Sequence, residues 1–330
     1  MCALALGVLI STAVLPGCGG AAETSTAKNP ISHVVIIVKE NHSFDNYFGS
    51  LETPVSRLPP CASRTEASAC QYAESDLAPY YRYARDFGIA DNYFTDIRGP
   101  SWPNLMMMIA GQTPIYVDPP TNTTTWICPA YCYSFPTIGD RLDEAGISWR
   151  NYGTKLYDPF LSIDRFASDT GHNTDEQQFF ADVDGNRLPS VVWVRPSAAE
   201  SEHPGYDIER GQAWSVGIIN AIMRSQYWRS TAILLTWDDS GDVVDHVAPP
   251  VVERDDSGAP IRYGHRVGLI VMSPYTPSGT VSHALLSHVS LLRFIEDVFH
   301  VPALTFRDAS ATGLSSFFDF SVPARSPLIL

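Results

Sequence analysis

Basic residues are scarce in this chain of 330 residues: 22 Lys and Arg stand against 36 Asp and Glu, for a formal net charge of −14. No Lys/Arg cluster occurs along it, which argues against a nucleic-acid partner, because a phosphate backbone takes a basic stripe to neutralise it. Charged residues of both signs amount to only 18% of the chain while 45% are hydrophobic, which excludes a disordered protein. Also missing are internal repeats and the tight Cys-x-x-Cys pairs that hold structural zinc. A chain of this length buries roughly 75% of the surface it exposes when unfolded, which favours one large domain over two modest ones. The negative balance carries a condition for ligands: an anionic small substrate is repelled unless a cation sits in its site.

Residues 1–18 carry no charged side chain and run through Leu4, Leu6, Val8, Leu9, Ile10, Val14 and Leu15 to Leu15-Pro16-Gly17-Cys18. The length suits the apolar part of a secretory signal and is short for a bilayer span. Its end resembles a bacterial lipobox, in which the cysteine is lipidated and becomes the new N-terminus. The expectation is an exported protein: a cell-envelope lipoprotein attached to the membrane at Cys18, or a secreted or periplasmic protein with a non-lipidated signal. Residues 19–30 read as a flexible polar tether and 31–330 as a single domain. Export fits the cysteines, since Cys61, Cys70, Cys128 and Cys132 form two local pairs. Of three connectivities, 61–70 with 128–132 is the one expected.

Beyond residue 30, short apolar runs alternate with helical patterns. Val34-Val35-Ile36-Ile37-Val38 is too short for a helix and β-branched, so it reads as a strand buried on both faces. Val191-Val192-Trp193-Val194, Ala232 to Trp237 and Val267 to Met272 are similar runs. Gln212–Arg224 and Leu285–Phe299 each place apolar residues on one helical stripe, and Leu105–Ala110, closed by Gly111, is a shorter helix. This alternation predicts an α/β fold, a doubly wound and mostly parallel sheet flanked by helices. Residues 112–190, rich in Pro, Thr, Asn, Tyr and Trp and weakly periodic, read mostly as a loop-rich cap insertion.

Two of the strongest runs end in acids: Glu40-Asn41 follows the first and Asp238-Asp239 the third. Ligands of an open parallel sheet bind outside the carboxyl ends of its strands, so these four residues are expected to meet there. Three carboxylates and an amide oxygen make a hard, oxygen-rich shell suited to one divalent cation. Taken singly, such acids cap helices or open turns. Ser101, in Gly99-Pro100-Ser101-Trp102-Pro103-Asn104, stands where a helix N-terminus attracts phosphate and stabilises an alkoxide, though a plain N-cap is the alternative. A metal beside it would make it a nucleophile near neutral pH. Asn104 suits either loop hydrogen bonding or a phosphoryl oxygen. His203, in a turn before a helix, suits a general acid or a phosphate contact, with Asp207 to orient it. His246 follows the second acidic pair, and His288 lies at the edge of the last apolar stripe, where a core role is the alternative.

Lys39-Glu40-Asn41-His42-Ser43-Phe44-Asp45-Asn46-Tyr47-Phe48-Gly49 resembles the opening signature of the phosphoesterase family that contains bacterial phospholipases C and acid phosphatases. The resemblance continues through Gly99 to Asn104, His203-Pro204-Gly205, Thr236-Trp237-Asp238-Asp239-Ser240-Gly241 and Asp245 to Pro250, and on through Arg266-Val267 to the last helix. It implies an alkaline-phosphatase-like fold and a metal site held by Glu40, Asn41, Asp238 and Asp239. It further implies Ser101 as nucleophile, His203 in phosphate binding or leaving-group protonation, and Asn104, His246 and His288 on the substrate side. Asp242 departs from the pattern, standing where relatives often have a second glycine. The chain also ends near residue 330, without the further C-terminal modules of the larger haemolytic phospholipases C, which weakens an expectation of choline phospholipids.

The function implied is that of an exported, metal-dependent phosphoesterase, phospholipase C-like, acting on a phosphate-ester small molecule or a phospholipid. An acid phosphatase acting on monoesters and a non-catalytic surface lipoprotein that binds phosphorylated ligands are the alternatives. A choline headgroup would need an aromatic pocket, for which the Tyr and Trp residues of 116–157 are the candidates.

Overall fold

A computed structural model describes residues 29–51, 58–67, 69–119, 126–155, 158–241, 243, 245–254 and 256–330. The expected leader with Cys18, most of the tether, and Asp242 lie outside the described residues. In chain order the strands are β1 (His33–Lys39), β2 (Gly88–Ala90), β3 (Tyr93–Phe94), β4 (Trp149–Gly153), β5 (Asn173–Thr174) and β6 (Val191–Arg195). They continue with β7 (Thr231–Trp237), β8 (Val251–Arg254), β9 (Pro260–Arg262), β10 (Leu269–Met272), β11 (Thr280–Ser282) and β12 (Leu286–Ser287). The helices are α1 (Phe44–Phe48), α2 (Ala78–Asp86), α3 (Ser101–Ala110), α4 (Ile138–Glu144), α5 (Glu176–Asp184), α6 (Ile208–Arg224), α7 (Val289–Phe299) and α8 (Phe306–Ser310).

Eight strands form one sheet in the order β11-β2-β10-β7-β1-β6-β4-β5. At its centre β1 lies parallel to both β6 and β7, with Ile36 opposite Trp193 on one side and Leu234 on the other. Every residue of β6 and β7, and all of β1 after His33, is buried, as a central parallel strand covered on both faces demands. The cover comes from two helix sets: α3 packs with α4 and α7, while α6 packs with α2 and α5. β10 alone runs against its neighbours β7 and β2, so the sheet is mixed but mostly parallel, as expected for the α/β class. The segment 112–190 is more than a cap, because β4 and β5 extend the main sheet beyond β6 and α4 and α5 flank it. Among the described residues no helix is long and apolar enough to cross a membrane. Both disulfides pair as expected, Cys61 with Cys70 and Cys128 with Cys132.

Helix starts differ from the periodicity reading for identifiable reasons. α6 begins at Ile208 because Asp207 caps it, its side chain accepting from the Glu209 N–H at 2.9 Å. α7 begins only at Val289 because Leu286 and Ser287 are drawn into pairing with β3. α3 starts at Ser101 itself, so Ser101 is the first helical residue rather than its cap, and Pro100 in the cap position offers no side-chain bond. Asp118 supplies one instead, accepting from the Trp102 N–H at 2.9 Å.

Candidate active site

The register Lys39 opposite Trp237 brings the ends of β1 and β7 level, so Glu40-Asn41 and Asp238-Asp239 leave the sheet side by side. The two turns are fastened to each other: Asp238 N–H donates to the Lys39 carbonyl at 3.0 Å, and Asp238 Oδ1 accepts from the N–H groups of Asn41 and Asp239 at 3.0 and 2.7 Å. Asn41 takes a left-handed conformation, φ +51°. Gly241 follows at φ +59°, and a Cβ there would lie 2.9 Å from that of Asn41, so only glycine lets the second turn close over the first.

Ser101 points into this junction from the first turn of α3. Its Oγ lies 3.1 Å from Asp239 Oδ2, 3.2 Å from Asn41 Oδ1 and 3.3 Å from Glu40 Oε2. The side-chain amide of Asn41 also faces Asp238 Oδ1 at 3.2 Å and Asp239 Oδ1 at 3.3 Å. Asp238 Oδ2 is buried with no hydrogen bond. Burial, reinforced for Glu40 by Asp238 and Asp239 and for Asp239 by Asp238, pushes both carboxyls well above the usual range. Such a concentration of acceptor oxygens, one of them unsatisfied, fits a hard divalent cation that restores the ionised state.

His203 stands beside the set. Its Nδ1 faces the Pro204 carbonyl at 3.0 Å and therefore carries a proton, leaving Nε2 to face the Asn41 amide at 3.3 Å. The turn that presents it is anchored from below by a buried ion pair, Lys39 Nζ to Glu202 Oε1 at 3.1 Å, with both side chains fully out of solvent. Tyr47 and Tyr80 donate their hydroxyls to the Glu202 carboxylate, and His42 Nε2 meets the Glu202 carbonyl at 2.6 Å.

Three expected substrate contacts stand elsewhere. Asn104 is fully buried and spends its amide on the loop before Ser101: Oδ1 accepts from Ile97 N–H at 3.0 Å, and Nδ2 donates to the carbonyls of Ile97, Gly99 and Pro100. It positions Ser101 and has no donor left for a phosphoryl oxygen. His288 is also fully buried, with Nε2 on the Asp238 carbonyl at 2.8 Å and Nδ1 on the Tyr93 hydroxyl at 2.7 Å. It therefore supports the turn beneath Asp238 and faces no cleft. His246 Nδ1 meets Asp45 Oδ1 at 2.8 Å, in a separate cluster with Asp245. The Arg266 guanidinium already fills that cluster, with Nε on Asp245 at 3.0 Å and Nη2 on Asp45 at 3.3 Å, so a fixed cation takes the place a metal would.

A cleft of about 370 Å³ opens on Asn41 and Asp239, and its lining adds Arg98, Thr95 and His265, which the sequence reading passes over. Arg98 lies three residues before Ser101 and His265 directly before the Arg266-Val267 motif, so their position next to quoted motifs was the available signal.

A model of the Phosphoesterase family matches residues 31–63 and 59–302. The chain belongs to the Phosphoesterase family. It is 28% identical over 301 residues to phospholipase C B of Mycobacterium tuberculosis, covering 76% of this chain and 56% of that protein. It is 26% identical over 438 residues to the non-hemolytic phospholipase C of Pseudomonas aeruginosa, covering 98% of this chain and 63% of that protein. The chain thus spans little more than half the length of these relatives. In fold it is similar to a protein of the alkaline phosphatase superfamily from Vibrio parahaemolyticus, with a TM-score of 0.52 and 11% identity over 86% of this chain and 70% of that one.

Proposed function

We propose that this phosphoesterase-family chain is an exported, metal-dependent hydrolase of the phospholipase C kind that cleaves a phosphate ester with Ser101 as nucleophile. The observation that carries the reading is Ser101 Oγ, at the start of a fully buried helix and within 3.1 to 3.3 Å of Asp239, Asn41 and Glu40. Glu40, Asn41, Asp238 and Asp239 would hold one divalent cation, which when bound neutralises charge on the serine and on a nonbridging phosphoryl oxygen. The two disulfides favour an oxidising compartment and so export.

Ser101 Oγ attacks phosphorus in line, forming the O–P bond as the bond to the leaving alcohol breaks, and its proton passes to the surrounding carboxylates. The first turn of α3 holds Ser101 at the positive end of the helix dipole, which favours the approach of a phosphoryl group. His203, with Nδ1 held on Pro204, would donate a proton from Nε2 to the leaving oxygen and take one back from the water of the second step. Water then hydrolyses the phosphoseryl intermediate and regenerates Ser101. The test is hydrolysis of an aryl phosphate and of aryl phosphorylcholine, with and without chelator, by wild type and Ser101→Ala. Turnover of one or both that chelator and Ser101→Ala abolish is expected; wild-type rates in folded Ser101→Ala would overturn the nucleophile, and no turnover under any divalent metal would overturn the hydrolase.

A further inference from the structure

The part of the cleft contributed by Arg98 and His265 is tied by hydrogen bonds to the elements that carry Ser101 and Asp239. Asn104 ties both neighbours of Arg98, accepting from Ile97 N–H and donating to the Ile97 and Gly99 carbonyls at 3.1 and 3.3 Å, so the loop carrying the guanidinium is fixed relative to Ser101. Thr95 joins this loop to the strand end bearing His265: Thr95 N–H donates to the His265 carbonyl at 3.0 Å and Gly264 N–H to the Thr95 carbonyl at 2.8 Å. Ser240 Oγ lies 2.7 Å from His265 Nδ1, linking the imidazole to the turn that follows Asp239. Arg98 is exposed, is one of the residues lining the cleft, and forms no ion pair or hydrogen bond among the described residues.

Asp239, a carboxylate of the metal set, lines the same cleft, so a guanidinium there is the complementary charge for anionic oxygens that point away from the carboxylates. A quaternary ammonium would need aromatic faces. None of the described residues lining the cleft is Phe, Tyr or Trp. Of the candidate aromatics, Trp126 packs edge-on to Trp102, Tyr133 stacks on Phe135, Trp149 stacks on His172 and the Tyr152 hydroxyl donates to Asp182, while Tyr116 is exposed and is not among the described residues lining the cleft.

We propose that Arg98, beside His265 in the cleft, forms an anion-recognising arm that selects phosphoesters with negative charge on the side away from the metal set, over choline phosphodiesters. Either a phosphomonoester dianion or a diester with an anionic leaving group supplies that charge. The proposal rests on the Ser101 site being the one that binds phosphate esters, and its test separates the two. Wild type, Arg98→Glu and Arg98→Lys are compared in kcat/KM for an aryl phosphate and for aryl phosphorylcholine, and in Kd for inorganic phosphate, with thermal unfolding as the check on folding. Wild type should prefer the aryl phosphate, Arg98→Glu should cut that preference at least tenfold and weaken phosphate binding by a similar factor, and Arg98→Lys should fall between. A bis-aryl phosphate, whose leaving group is uncharged, should respond less than the monoester if the recognised charge is the second one of a dianion. A preference and a phosphate Kd that Arg98→Glu leaves unchanged, or a wild-type preference for the choline ester, overturns the proposal. Arg98-dependent phosphate binding without turnover of any ester sustains the arm while overturning the hydrolase reading.

Discussion

Replacing Lys39 by Met tests how the site is supported from below. Lys39 and Glu202 pair at 3.1 Å with neither side chain exposed, Lys39 Nζ also donates to the Gly211 carbonyl at 3.1 Å, and the ammonium lies 4.9 Å from the Trp214 ring centre. Burial pushes Lys39 down and Glu202 up in pKa, each opposed by the charge of the other, so removing one partner leaves the other charge stranded. Breaking a buried pair from one side costs about 3–5 kcal/mol, and Met fills the lysine stem closely enough that little of this is cavity. That is about a third of the stability of a typical domain, ~5–15 kcal/mol. Tyr47 and Tyr80 still donate to Glu202, which can also take up a proton, so the deficit should shrink as pH falls from 7 to 5. Lys39→Met/Glu202→Gln should recover at least ~2 kcal/mol, because no lone charge remains in it. Equilibrium urea unfolding of the four proteins, disulfides intact, measures the cycle. A Lys39→Met loss below about 1 kcal/mol, or no recovery in the double variant, refutes the reasoning.

Three further outcomes are expected. Asn104→Ala frees the loop that presents Ser101, and kcat should fall by about 100-fold with inorganic phosphate affinity retained; lost phosphate affinity at unchanged kcat would mean Asn104 touches the phosphoryl group instead. Asp238→Asn should lower the divalent metal content found by elemental analysis, and unchanged content removes Asp238 from the ligand set. Burial lowers the pKa of His288 from 6.5 to about 4, and of His42 likewise. The unfolded chain therefore takes up these protons first, and stability is complete above pH 6.5 and lost as pH falls toward 4, by up to ~3 kcal/mol per histidine. His288→Gln should flatten that slope in urea midpoints measured against pH, and an identical slope would contradict the assignment.

The centre of the fold was readable because its strands are uninterrupted apolar runs: β1 and β7 each need burial on both faces, and the acids after them fall at one end of a parallel pair. The sheet's outer part was not readable for the converse reason. In β4, Trp149 and Tyr152 enter the core, but Arg150 and Asn151 between them bond Asp182 and Asp158, so neither alternation nor an apolar run marks the strand. β2 and β11 have only three residues each, too few to carry a period. Within the site, residue type pointed to the oxygen cluster and to Ser101, since those side chains stand where the backbone ends a strand or starts a helix. Asn104 and His288 carry the same chemical signature as substrate contacts, yet Asn104 spends its amide on the loop just before it, and the hydrogen bonds of His288 run to a carbonyl and a hydroxyl brought near only by folding. Lys39 and Glu202 illustrate the same limit, lying 163 positions apart and meeting only once β1 and the turn before α6 are in place.

Acid-quenched turnover of an aryl phosphate, followed by mass spectrometry of the peptide containing Gly99 to Asn104, bears most directly on the nucleophile. A phosphoryl group on Ser101, absent from chelated enzyme and from Ser101→Ala, is the result predicted. Phosphate on a different residue, or Ser101→Ala turning over at the wild-type rate with metal bound, would contradict it.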